Sequence, residues 1–145
     1  NEAGRRFAVT LYDSSVLIDY LDGDEAVVEY VETRRKERAL TPPLALFEVY
    51  QGEVFKTGPP DFEAVDRALG WITVTDGTAE LARVAAEIQT ELRERGESLA
   101  ARDAYIAGTA KALGEPLATT DSDFDLDGIG DVLRVEFPRR PPDER

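Results

Sequence analysis

The chain has 145 residues, 42% of them hydrophobic, which suits one folded domain around one core. It contains no cysteine and no histidine, so disulfides, thiolate metal sites, a cysteine nucleophile and imidazole acid–base chemistry are all excluded. A net charge of −13, from 30 acidic and 17 basic residues, argues against a broad basic face for nucleic acid. Catalysis is left to carboxylates, hydroxyls, Lys, Arg or a hard cation held by oxygen, namely Mg²⁺, Mn²⁺ or Ca²⁺. The acidic, lysine-poor balance resembles that of proteins from salt-loving organisms, where salt screens self-repulsion, so a halophilic source is the expectation.

No apolar run approaches the ~20 residues of a membrane span. The stretch Phe7 to Leu21 is broken by Asp13, Ser14, Ser15 and Asp19, so it is neither a span nor a signal-peptide core. A cytoplasmic protein with no membrane association is expected. The chain does not begin with Met, and residues 1–6 read as a cloning remnant outside the folded unit 7–137.

Phe7 to Tyr12 reads as a first strand, and Ser14 to Leu21 as a helix with Asp13 at the junction. Asp24 to Arg34 forms a second helix, and Ala39 to Thr41 a short strand ended by Pro42 and Pro43. Pro43 suits a first helical turn. Leu44 to Phe55 is then helical and apolar on almost every side, which predicts burial. Thr57-Gly58-Pro59-Pro60 breaks it. Asp61 to Leu69 is a short amphipathic helix with Gly70 as its stop, and Trp71 to Val74 is a strand. Thr78 to Arg95 and Leu99 to Leu113 are helices stopped by Gly96 and Gly114. Pro116 to Thr119 is a buried strand, Asp121-Ser122-Asp123 a turn, Val132 to Phe137 a last strand, and residues 138–145 a frayed tail. Alternating strands and helices predict an α/β fold of three layers, α/β/α, with a central, mainly parallel sheet.

Four acids stand out against this frame. Leu99, Asp103, Ile106, Ala110 and Leu113 share one helix face, so Asp103 lies in an apolar stripe. Burying a lone carboxylate costs several kcal/mol unless something compensates it. A helix-start Asp favoured by the macrodipole is the plainer explanation. Glu48 poses the same problem on its helix, with an ion pair to a buried Arg as the plainer explanation. Asp13 and Asp121 follow strands and emerge on the same rim, where ligands of such folds gather. Taken alone, Asp13 reads as a helix cap and the turn Asp121, Asp123, Asp125, Asp127 as a solvated or Asx turn. That turn lacks the glycine and the preceding helix of a calcium loop. Convergence of the acids is the argument, because crowded carboxylates repel unless a cation lies between them.

The same residues resemble a known family. Leu11-Tyr-Asp13-Ser-Ser-Val-Leu-Ile-Asp19-Tyr-Leu resembles the opening of PIN domains, and Thr41-Pro-Pro-Leu-Ala-Leu-Phe-Glu48-Val-Tyr-Gln-Gly their second motif. Ala101-Arg-Asp103-Ala-Tyr-Ile-Ala-Gly-Thr-Ala resembles the third, and Thr119-Thr-Asp121-Ser-Asp123-Phe the last. Size and motif style look most like the VapC toxins of toxin–antitoxin pairs. The resemblance implies a Mg²⁺- or Mn²⁺-dependent endoribonuclease, usually a homodimer, held inactive by a small VapB-like antitoxin that places a basic side chain among the acids. Asp13, Glu48, Asp103 and Asp121 match the family's four acids, and Asp123 an auxiliary metal ligand. Ser14 and Ser15 lie where the family places a small hydroxyl residue. Arg102 is a candidate for substrate phosphate. The run Arg34-Arg-Lys-Glu-Arg38 is another, although a solvated helix end explains it better. Alternatives are a phosphoacceptor receiver domain, for which no Lys follows a predicted strand, and a DNA nuclease of the same fold, for which insertions are missing.

Overall fold

The computed structural model describes residues 8–139. The expectations for residues 1–6, for Phe7 and for residues 140–145 lie outside the described residues.

Among the described residues five strands form one sheet: β1 (Val9–Tyr12), β2 (Arg38–Thr41), β3 (Thr73–Val74), β4 (Leu117–Ala118) and β5 (Val135–Glu136). Their order is β3-β2-β1-β4-β5, and every pairing is parallel. Six α-helices connect them: α1 (Ser14–Leu21), α2 (Glu25–Glu32), α3 (Pro43–Val54), α4 (Phe62–Ala68), α5 (Ala79–Arg93) and α6 (Ala101–Leu113). The alternating pattern predicted this arrangement, because parallel strands need crossover connections that place helices on both faces.

Alternation along the strands divides the core in two. Leu11 of β1 and Leu117 of β4 face α5 and α6, packing with Ile88, Leu92, Ile106, Ala107 and Phe124. Tyr12 and Ala118, one residue on, face the other way and pack with Val16, Leu17, Val27, Val31 and Val65 of α1, α2 and α4. The register Leu11↔Leu117 and Tyr12↔Ala118 keeps both faces matched. The chain therefore has the expected three layers.

Gly96 and Gly114 end their helices with φ of 76° and 70°, a left-handed conformation that costs glycine little. Helices α5 and α6 pack so closely that a Cβ on Gly108 would lie 2.6 Å from the Ala85 Cβ and 2.7 Å from its Cα.

Four expectations need correction. Helix α3 is not buried on every side. Ala45 and Val49 enter the two cores, while Phe47, Val54 and Phe55 are 55%, 51% and 79% exposed. An apolar count cannot tell a buried helix from one with an uncovered face. The predicted strand Trp71 to Val74 pairs only at Thr73–Val74. Trp71 instead closes the turn after α4, its indole N–H donating to the Ala68 carbonyl at 2.8 Å and its ring standing edge-on to Tyr12 and Tyr20. The last strand is Val135–Glu136, because Val132 and Leu133 follow a short 3₁₀ turn and fold into the core. Arg139, expected in the tail, pairs with Asp19 and Asp24 at 3.3 Å each.

Candidate active site

Strand β1 is central, with β2 and β4 on either side, so the strand order reverses beside it. A crevice at the C-terminal ends of the strands forms where the order reverses. Asp13 stands there, one residue past β1, and Asp121 lies three residues past β4. Glu48 comes from α3, which follows β2, and Asp103 from the first turn of α6.

Asp13 is fully buried, yet both its oxygens have partners. Oδ1 accepts from the Ser14 backbone N–H at 2.8 Å and from Arg102 Nη2 at 2.9 Å. Oδ2 accepts from the Ser15 and Thr119 hydroxyls at 3.0 and 2.9 Å. A hydroxyl has one proton to give, so each of these two donates to Asp13 and accepts elsewhere. Ser15 accepts the Thr120 N–H and Thr119 the Asp121 N–H, both at 3.0 Å. The two hydroxyls thereby tie the loop that carries Asp121 to the buried carboxylate. Asp121 in turn accepts the Asp123 N–H at 2.9 Å, which orders the next acid.

Asp103 is buried and opens into the same space. Gln89 fixes the start of its helix, bonding the Leu99 backbone in both directions at 2.5 and 3.0 Å. Oxygens of Asp103, Asp121 and Asp123 lie within 4.8 Å of one another. Asp103 is the buried member of this set and Asp123 the exposed one.

Arg102 occupies the middle of the acids. Its Nε donates to Glu48 Oε2 at 2.6 Å, and Nη2 reaches Glu48 Oε1, Asp13 and, at 2.7 Å, the Ser14 hydroxyl. Nη1 donates to Asp103 Oδ1. One guanidinium is thus shared by three carboxylates from three elements. Burial works to raise the Glu48 carboxyl, but hydrogen bonds from Arg102 and Ser14 outweigh it and hold the group below its ordinary range. Burial pushes Asp103 up; Arg102 opposes the shift, while Asp121 and Asp13 add to it. The hydrogen bond to Glu48, the charge of Asp13 and the hydrogen bonds to Asp103 and Asp13 outweigh burial and keep Arg102 more firmly protonated than a free guanidinium.

Backbone dipoles supply the remaining compensation. Asp13 caps α1 and Asp103 lies at the third position of α6, so both acids face positive helix ends. The plainer explanations of single residues therefore hold in part: Asp13 is a cap, and Glu48 does pair with an arginine. Neither removes the convergence, because one guanidinium serves three carboxylates and two further acids, Asp121 and Asp123, crowd against the third of them.

Removing the Thr119 hydroxyl tests the tie between Asp13 and the loop. Thr119→Val leaves the Asp121 N–H without its acceptor and Asp13 with one donor fewer, and should cost about 2 kcal/mol in urea unfolding. Thr119→Ser keeps the hydroxyl and should recover most of that loss.

The sequence profile of the PIN domain matches residues 10–126. The chain belongs to the PIN domain family. The resemblance drawn from the four motifs is thereby borne out, and the matched span includes all five candidate acids. No curated protein sequence matches the chain significantly. Among solved structures, it is similar to DNA-bound VapBC from Salmonella typhimurium, at 18% identity and a TM-score of 0.75, over 91% of this chain and 99% of that one. It is also similar to VapBC-5 of Mycobacterium tuberculosis, at 27% identity and a TM-score of 0.58, over 90% and 97%. VapC20 of the same organism, a toxin that cleaves the Sarcin-Ricin loop, matches at 18% identity and a TM-score of 0.59, over 80% and 92%.

Within this PIN fold, two residues act differently from what their sequence positions suggested. Thr119, unremarked beyond its motif, is a direct donor to Asp13. Its signal was its place between β4 and Asp121. Arg102, the candidate for substrate phosphate, lies inside the acid group, bonded to Asp13, Glu48 and Asp103. The basic run 34–38 precedes and opens β2, at the sheet end opposite Asp13. There Arg34 lies 3.6 Å over the Tyr30 ring and Arg35 pairs with Glu32 at 2.9 Å. That run is a solvated helix end, as the plainer explanation had it.

Proposed function

We propose that this PIN domain is a Mg²⁺- or Mn²⁺-dependent endoribonuclease, the toxin of a toxin–antitoxin pair. The observation that carries the reading is the approach of Asp103, Asp121 and Asp123 oxygens to within 4.8 Å, beside a buried Asp13 held by four donors. The donor set is all oxygen and opens to solvent through Asp123. It suits a hard cation that keeps part of its water shell. Asp103, Asp121 and Asp123 would hold the ion, with Asp13 and Glu48 close by. Such an ion supplies an activated water and offsets charge on the phosphoryl oxygens. The chain's own residues do the rest. Asp121 or Asp123, on the open side, accepts the water's proton. The Ser15 and Thr119 hydroxyls hold the acids in position.

With water as nucleophile, the P–O3′ bond breaks, and the ends are a 5′-phosphate and a 3′-hydroxyl. VapBC neighbours support an antitoxin partner, and a homodimer is part of the same reading. RNA as substrate is supported by the name of VapC20. The receiver alternative loses its footing: among the described residues no Lys directly follows a strand, and Lys111, within α6, pairs with Glu91 of α5 at 3.0 Å. Among the described residues no helix is long and apolar enough to cross a membrane.

Incubating the protein with total RNA and Mg²⁺ should yield fragments bearing 5′-phosphate. EDTA should stop the reaction, and Asp13→Asn should be inert. Products with 2′,3′-cyclic phosphate would refute the route, since they require attack by the RNA's own hydroxyl.

A further inference from the structure

Asp103 is claimed twice. Arg102 Nη1 donates to its Oδ1, and the same carboxyl is the buried member of the set that brings three acids within 4.8 Å. An arginine cannot surrender its charge in a protein, so the guanidinium can free Asp103 only by moving. It has somewhere to go: its side chain is 28% exposed, whereas those of Asp13 and Asp103 are 0% and 5%. It also has a pivot. Nε and Nη2 grip Glu48 side-on and the planar fork moves as one body, so Nη1 leaves Asp103 when the Arg102–Glu48 pair, 28% and 24% exposed, swings outward together.

We propose that Arg102 is a guard built into the site: its guanidinium and a divalent cation compete for the Asp103 carboxylate, and loading the site requires Arg102 to withdraw toward solvent. The guard deepens the metal-dependent reading above and rests on it. Without a metal, Arg102 relieves the mutual repulsion of Asp13, Glu48 and Asp103, which no other ion pair of these three does among the described residues. With a metal, a positive guanidinium at Asp103 opposes the incoming ion. Site stability and metal affinity are therefore set against each other through one side chain.

The test is Mn²⁺ titration by calorimetry on the whole protein, with thermal melting alongside. Arg102→Gln should bind Mn²⁺ at least about fivefold more tightly than the unmodified chain, and Arg102→Lys should fall between them. Arg102→Gln should melt lower without metal and gain more from Mn²⁺ than the unmodified chain does. Asp121→Asn should abolish binding in either background. If Arg102→Gln folds poorly, Arg102→Lys decides alone, because it keeps the charge but loses the planar fork. Binding that is no tighter in the Arg102 variants, yet still lost in Asp121→Asn, overturns the guard and leaves the metal reading standing. Absence of Mn²⁺ binding throughout, or binding indifferent to Asp121→Asn, overturns both.

Discussion

Asp103→Asn should leave a folded protein that has lost at least about a hundredfold of its cleavage of RNA. Residues that merely support a metal ligand cost ~10–100-fold when removed, and Asp103 is expected to touch the ion itself. The substitution keeps the shape but removes the charge of the one buried member of the triple. The fold should tolerate it. Burial already disfavours the charged form of Asp103, and Arg102 retains Glu48 and Asp13 as partners. Initial rates with Mg²⁺ on one RNA, paired with thermal melts, separate the two effects. Full cleavage by the variant removes Asp103 from the site. Loss of cleavage together with collapse of the melt would make Asp103 structural instead.

The second large effect is expected far from the acids. Gly108→Val should destabilise the domain by about 3 kcal/mol, the upper end for overpacking. The first atom of any side chain there would meet the Ala85 Cβ at 2.6 Å and, worse, its Cα at 2.7 Å and N at 2.9 Å. Backbone atoms cannot rotate away as a flexible side chain would. Helices α5 and α6 must then separate, and with them Ile88, Leu92, Ile106 and Ala107, all inaccessible to solvent. Gly108→Ala meets the same Cβ contact but regains some helix propensity, so its loss should be smaller. Chemical denaturation of both variants gives the numbers. A Val variant as stable as the parent would show that the two helices can slide apart freely.

The sheet and its layers were legible because their cause is periodic. Leu11 and Tyr12, or Leu117 and Ala118, alternate between two cores, and any reading of period two finds them. Asp13 and Asp121 were legible because strand ends on a parallel sheet have one address. Glu48 and Asp103 were legible as misfits in apolar helices. Other features depend on what sits opposite, which a single sequence does not record. Nothing in Leu44 to Phe55 says that Phe47 and Phe55 are left exposed. Nothing in Trp71 says that its indole N–H will find the Ala68 carbonyl instead of a strand partner. Arg102 is the sharpest case. Adjacent residues on a helix diverge by about 100°, so Arg102 should point away from Asp103. A long side chain reaching three acids from three elements overrides that geometry.

Strand order also has a bearing on how the protein comes into being. The partner of β1 on one side is β4, whose residues 117–118 are made after those of β1, β2 and β3, and the acids at 121 and 123 follow later still. A nascent chain still short of them has Asp13, Glu48 and Asp103 but not the loop that completes the group. Domains fold as units during synthesis. On the function proposed above, a chain of this topology is therefore inert beside the RNA-rich machine that makes it for as long as residues 121–123 are missing, and becomes competent only when that loop has emerged.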